Sequence, residues 1–277
     1  MEFSKYEATA NDFIMLDRTR SPGIEDLTPA KVRALCERRT GVGADGVIVM
    51  STSRTADFAM RIFNADGSEA QMCGNGVRAI FLFALDRGLF DVPEATLETV
   101  AGIKTVQGAR TARGAGLFTV NMGSPAWTRP EIPMVGEGEA IGVPVSPGNS
   151  TELSATCVSM GNPHCVFFVK SVLEYPLAEV GPRVEKDPLF PEHTNVEIVS
   201  VAGPGRLEMR VWERGVGETM ACGTGACASL VAANLNGLAG KRATVSLTGG
   251  DLEVEWLEDG VRLTGPARHV FDGKTVD

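Results

Sequence analysis

With 277 residues, 43% of them hydrophobic and 22% charged, the chain has the profile of a soluble globular protein long enough for two cores of about 130 residues each. Its formal charge of -9, from 26 basic and 35 acidic residues, argues against nucleic acid or an anionic membrane as a partner, because both reward a basic surface. No apolar run approaches the roughly 20 residues of a membrane span and the start Met1-Glu2-Phe3-Ser4-Lys5 lacks the pattern of a leader, so a cytoplasmic protein is expected, with its six cysteines read as reduced thiols.

In chain order, residues 28–39 read as an amphipathic helix with Thr28 as N-cap and Pro29 at its first position. The run Gly41-Val42-Gly43-Ala44-Asp45-Gly46 has the spacing of a dinucleotide fingerprint, but it follows a helix and no βαβ unit surrounds it. Residues 59–64 read as a strand, and after Met72-Cys73-Gly74-Asn75-Gly76 comes a helix that is apolar on nearly every face and stops at Gly88. Short strands are expected over 97–107 and 116–122, and a Pro/Gly-rich stretch over 125–148 reads as the joint between two halves. Further strands over 156–170 and 205–212 lead to Ala221-Cys222-Gly223-Thr224-Gly225, to a second all-apolar helix stopped by Gly237, and to strands over 243–247 and 252–263.

The two cysteine segments are copies. Residues 61–89 align without a gap onto 210–238, with Arg61/Arg210, Glu69/Glu218, Cys73/Cys222, Gly74/Gly223, Gly76/Gly225, Ala79/Ala228, Ala84/Ala233, Gly88/Gly237 and Leu89/Leu238 identical. Upstream, Asn11 precedes Asn64 much as Asn162 precedes Glu213. One module has been duplicated, which predicts an α+β protein of two pseudo-symmetric domains. The halves are expected at 1–120, joined by 266–277, and at 121–265.

A cysteine heading a helix, followed by Gly-x-Gly, suits proton-transfer chemistry. The helix N-terminus is expected to lower the thiol's pKa, and the glycines let backbone N–H groups approach a carboxylate. Two such motifs facing each other would grip one carboxylate and offer one sulfur to each face of the adjacent α-carbon, which is what inverting a stereocentre requires. Cys36, Cys157 and Cys227 keep the plainer reading of small buried hydrophobes.

Asn11-Asp12-Phe13, Phe63-Asn64-Ala65-Asp66-Gly67-Ser68-Glu69, Cys73-Gly74-Asn75-Gly76, Gly161-Asn162-Pro163-His164, Glu213-Arg214-Gly215 and Ala221-Cys222-Gly223-Thr224-Gly225 resemble, in order and over almost the whole chain, the diaminopimelate epimerase family. The resemblance implies a cofactor-independent isomerase interconverting LL- and meso-2,6-diaminopimelate on the way to lysine and peptidoglycan. It further implies a barrel-like, mostly antiparallel sheet around a central helix in each domain, and a homodimer.

Carried over, Cys73 and Cys222 form the acid/base pair, and Gly74, Asn75, Gly223 and Thr224 hold the reacting carboxylate. Asn11, Asn64, Asn162, Asn195, Glu213 and Arg214 recognise the amino and carboxylate groups, with Arg214 suited to a bidentate carboxylate contact, while His164 and Glu213 tune the thiols. The nearest alternative is a related two-cysteine racemase acting on proline or histidine. Two positions depart from the family: Ala8-Thr9-Ala10 stands where a glycine-rich lead-in is common, and Gly46 where some members carry a substrate-binding glutamine. No cofactor or metal is expected, since no lysine stands in a phosphate-binding context and Cys157, His164 and Cys165 match no zinc spacing.

Overall fold

The computed structural model describes residues 1–20, 27–70, 72–89, 93–146 and 153–275. The chain divides into two compact units, one of residues 1–121 with 264–277 and one of residues 122–263.

Unit 1 contains strands β1 (Glu2–Ala8) and β2 (Asn11–Asp17), helix α1 (Pro29–Cys36), strands β3 (Gly46–Ser51), β4 (Phe58–Asn64) and β5 (Glu69–Ala70), helix α2 (Gly74–Asp86), and strands β6 (Glu94–Thr99), β7 (Gly102–Ala112) and β8 (Ala115–Asn121). In unit 2 come β9 (Val143–Val145), β10 (Leu153–Ser159), β11 (Pro163–Phe168), α3 (Leu177–Glu185), β12 (Asn195–Gly203), β13 (Arg206–Glu213), β14 (Gly217–Thr219), α4 (Gly223–Leu235), β15 (Arg242–Leu247), β16 (Gly250–Leu257) and the start of β17 (Gly260–Lys274), whose remainder belongs to unit 1.

In unit 1 the sheet closes on itself in the order β1, β2, β3, β4, β6, β7, β8, β17 and back to β1. The pairings are antiparallel except β2–β3 and β4–β6 among those with a given register. Inside this barrel lies α2, buried from Gly74 to Leu85, so its surface, apolar but for Asn75 and Arg78, is the expected consequence of being enclosed on every side. Unit 2 repeats the pattern: β11–β12 and β13–β15 are its parallel pairs, and α4 is buried from Gly225 to Ala233.

In β2 and β3, residues 13–16 and 47–50 are continuous apolar runs rather than alternating ones because both of their faces are covered. On the outer side of unit 1, Val32 and Cys36 of α1 pack with Ile14, Leu16, Val47 and Val49. The expected helix over 28–39 is real but ends at Cys36, and its Thr28 cap accepts a hydrogen bond from Lys31 N at 3.3 Å. The Pro/Gly-rich stretch is not a free joint. It lies in unit 2, with Ile132, Met134, Ala140, Val143 and Val145 in that unit's core and Ala126 bridged to Ser159; residues 147 and 148 lie outside the described residues.

Helix α3 has no clear sequence signal, since it carries Gly181 and Pro182 and starts after Pro176. The glycine is there for packing: a Cβ at Gly181 would lie 2.5 Å from Trp212 Cγ on β13. Gly181→Ala is therefore expected to lower stability by about 2 kcal/mol through overpacking, read as a drop in the urea midpoint at unchanged slope. An unchanged midpoint would show that α3 lifts off β13 at no expense. Among the described residues no helix is long and apolar enough to cross a membrane.

Candidate active site

In unit 1, β5 leads into the N-terminus of α2, and Cys73 is the residue before the first helical position, in extended conformation. Such a position leaves the first-turn N–H groups, including those of Gly74 and Asn75, without intrahelical acceptors. Asn11, the first residue of β2, gathers the surroundings: its Oδ1 lies 3.8 Å from Cys73 Sγ and accepts from Asn75 Nδ2 at 3.3 Å, while its Nδ2 donates to Asp45 at 2.8 Å. Asn75 is in turn fixed by Arg78, which is fully buried; Nη2 donates to Asn75 Oδ1 at 2.7 Å and to Thr9 Oγ1 at 2.9 Å, and Nη1 donates to the Gly74 carbonyl at 3.2 Å. Asn64, on the exposed end of β4, donates to Ser68 Oγ at 3.0 Å.

The two departures from the family pattern have physical consequences. Thr9 and Ala10 adopt φ 54° and 61°, a left-handed turn that glycine enters without strain and an L side chain does not. Thr9 is kept there by its side-chain bond from Arg78, whereas Ala10, whose methyl can form no hydrogen bond, donates its backbone N–H to Glu7 Oε2 at 3.0 Å. Ala10→Gly is accordingly expected to stabilise by about 0.5–1 kcal/mol, relief of strain exceeding the added freedom of the unfolded chain; a lowered melting temperature would contradict this. At Gly46 a Cβ would sit 2.6 Å from the Phe63 carbonyl, so no glutamine fits without moving β4.

In unit 2, Cys222 caps α4 in the same way, and its Sγ accepts from Gly225 N at 3.4 Å and lies 3.4 Å from Thr224 Oγ1. Asn162 bridges outward, with Nδ2 donating to Thr224 Oγ1 at 3.4 Å and Oδ1 lying 3.1 Å from His164 Nε2. His164 is fully buried, and its Nδ1 meets Glu197 Oε1 at 2.6 Å. Asn195 is spent on backbone: it donates to the Pro163 carbonyl at 2.8 Å and accepts from Arg214 N at 2.9 Å. Arg214 is exposed and donates through Nη1 to the Glu192 carbonyl at 2.9 Å, while Glu213 accepts from the Thr219 hydroxyl.

The expected low thiol pKa is reversed at Cys222. Burial pushes this thiol well above its ordinary range, and the carboxylates of Glu213 and Glu197 push the same way; the Thr224 hydroxyl and the Gly225 N–H oppose them without prevailing. Burial likewise raises the Glu213 carboxyl, with the Thr219 bond acting downward and Glu197 upward. Among the described residues no group of three or more His, Cys, Asp or Glu side chains could hold a metal ion.

The sequence profile of the diaminopimelate epimerase family matches residues 3–128 and 156–270. The chain belongs to the diaminopimelate epimerase family. It is 45% identical over 276 residues to the diaminopimelate epimerase of Pelotomaculum thermopropionicum, covering 99% of this chain and 98% of that one, and 48% identical over 280 residues to that of Synechococcus elongatus, covering 99% and 97%. Among solved structures it is similar to the Bacillus anthracis phenazine biosynthesis protein of the PhzF family, with a TM-score of 0.69 at 18% identity over 100% and 99% of the two chains. A hydroxyproline epimerase from Agrobacterium vitis gives 0.70 at 15% over 99% and 91%. At these identities the likeness is one of fold, and it agrees with the expected α+β architecture.

As a diaminopimelate epimerase family member the protein is an isomerase. Two residues that organise its site were not singled out from sequence. Arg78 was hidden by sitting within an apolar helix, and Glu197 by sitting within the run Asn195-Val196-Glu197-Ile198-Val199; in both cases the signal available was a charged residue where its neighbours are buried and apolar.

Proposed function

We propose that the protein interconverts LL- and meso-2,6-diaminopimelate by a two-thiol mechanism, in lysine and peptidoglycan precursor synthesis. One of Cys73 and Cys222 takes the α-proton as thiolate, and the other, as thiol, returns a proton to the opposite face. The observation that carries this reading is the repetition of one local design in both units: a cysteine at a helix head, followed by Gly-x-Gly, with an asparagine, Asn11 at the start of β2 or Asn162 in the bend just before β11, drawn into the same hydrogen-bonded cluster.

On this reading the first-turn N–H groups of Gly74, Asn75, Gly223 and Thr224 receive the substrate's reacting carboxylate, since helix N-termini favour anions. Asn11, Asn64, Asn162, Glu213 and Arg214 serve the remaining amino and carboxylate groups. Asn195 is assigned a supporting part, because both ends of its amide already hold the backbone around Pro163 and Arg214. His164 and Glu213 adjust the proton affinity of Cys222. The chain's own thiols carry the protons, so no cofactor enters, and a cytoplasmic homodimer belongs to the same proposal.

The test is to incubate the reduced protein with LL-diaminopimelate in deuterated water, with proline and histidine as competitors, and to follow the α-proton by NMR. Loss of the diaminopimelate signal with growth of the meso product is the expected result. Exchange confined to proline or histidine would transfer the protein to a sister racemase, and no exchange at all would end the catalytic proposal.

A further inference from the structure

The two halves differ where the duplication would have made them alike. In unit 1, Phe13 lies beside Gly46 and Ile48 pairs with Ile62; at the corresponding register of unit 2, His164 lies beside Asn195 and Glu197 pairs with Val211. The helix heads confirm the match. A Cβ on Gly76 would meet Ile48 Cδ1 at 2.9 Å, and a Cβ on Gly225 would meet Glu197 Oε1 at 2.7 Å. An apolar pair under one cysteine-bearing helix is thus a histidine and a carboxylate under the other.

Glu197 is completely buried, and only one of its oxygens is satisfied. Oε1 is on His164 Nδ1 at 2.6 Å, whereas Oε2 has no hydrogen-bond partner among the described residues. Stranding a carboxylate oxygen away from water is unfavourable, and a fold whose other copy does well with isoleucine has no structural need for it. The titratable groups around Cys222 are Glu213 from β13, Glu197 from β12 and His164 from β11, with the hydroxyls of Thr219 on β14 and Thr224 on α4 beside them. Ionising Cys222 therefore adds a negative charge next to two buried carboxyl groups that face a single histidine.

We propose that Glu197 is a positioning residue for proton transfer at Cys222: it fixes the His164 ring, and through it Asn162 and Thr224, and its carboxylate governs the ionisation of Cys222 but not of Cys73. This rests on the epimerase reading for its catalytic consequence. The two bases are then unequal by construction, one set over Phe13 and Ile48 and one over the hydrogen-bonded His164 and Glu197.

The experiment uses the full-length reduced protein and its Glu197→Gln and Glu197→Asp variants. Iodoacetamide modification is measured against pH at Cys73 and Cys222 separately by peptide mass spectrometry, and kcat and KM are measured with LL-diaminopimelate. Removing a like charge favours the thiolate, so in Glu197→Gln the Cys222 profile moves to lower pH while that of Cys73 stays in place. In the same variant kcat falls about 10- to 100-fold with little change in KM. Glu197→Asp keeps the charge but falls short of His164, so its Cys222 profile stays near that of the wild type while kcat falls. Superimposable Cys222 profiles for Glu197→Gln and wild type, equal shifts at both cysteines, or full kcat in Glu197→Asp would overturn the proposal. The alkylation measurement needs no substrate, so a wild-type protein that fails to epimerise diaminopimelate would count against the proposed function while the Cys222 profile still decides the role of Glu197.

Discussion

Cys73→Ala and Cys222→Ala are each expected to lower the epimerisation rate about a thousandfold, the scale of one general acid or base in a transition state. Loss of rate alone would not distinguish a proton carrier from a residue that shapes the site, because both thiols adjoin the helix-head N–H groups proposed to receive the carboxylate. The distinguishing observation is isotope exchange. With one thiol gone, the remaining one can still take a proton from its own face and return deuterium there, so each variant should exchange the α-proton of one isomer without inverting it. The two variants should divide the isomers between them. Exchange of both isomers by a single variant would mean that one base serves both faces, and the two-thiol mechanism would be abandoned. The substitutions are small to smaller in snug positions, with Cys222 only 6% exposed, so near-native melting temperatures are expected alongside.

Arg78→Ala carries the largest expected effect on stability, about 3–5 kcal/mol, read from urea unfolding. The arginine is wholly enclosed, and its guanidinium reaches the Pro266 carbonyl at 3.3 Å as well as Thr9, Gly74 and Asn75. Removing it leaves a cavity within the barrel together with several acceptors that have lost their donor. Activity should fall further than stability explains, because the Asn75 amide and the Thr9 turn next to Asn11 lose their restraint. Arg78→Lys keeps the charge but cannot span the same acceptors, and recovery of less than half the lost stability is expected. A loss under 1 kcal/mol in Arg78→Ala would show that the barrel closes over the gap.

Much of this architecture is legible in the sequence, and the reason is the duplication. Two copies of one strand, cysteine and helix segment, each helix apolar on nearly every face, mark two enclosed helices, and the family resemblance supplies the barrel around each. What escapes the sequence is set by contacts from outside a segment. Helix α3 forms against Trp212 despite Gly181 and Pro182, and the 125–148 stretch folds into a core although its composition suits a connector. The thiol at Cys222 shows the same limit in chemical form. Its helix terminus can be read from Gly223 and Gly225, but its burial beside Glu197 and Glu213 cannot, and burial decides the sign. Arg78 and Glu197 went unread for a related reason: each belongs to a run whose apolar neighbours define the pattern.

Strand β17 bears on how the protein is made. Residues from 264 onward supply the strand that lies between β1 and β8, so the first barrel cannot close until these residues, more than 140 positions after β8, have been made. During vectorial synthesis the earlier half emerges with the β1 and β8 edges lacking β17, whereas β9 to β16 of the later half are consecutive in the chain. A chain stalled short of residue 264 therefore leaves the β1 and β8 edges without their β17 partner and open to other chains.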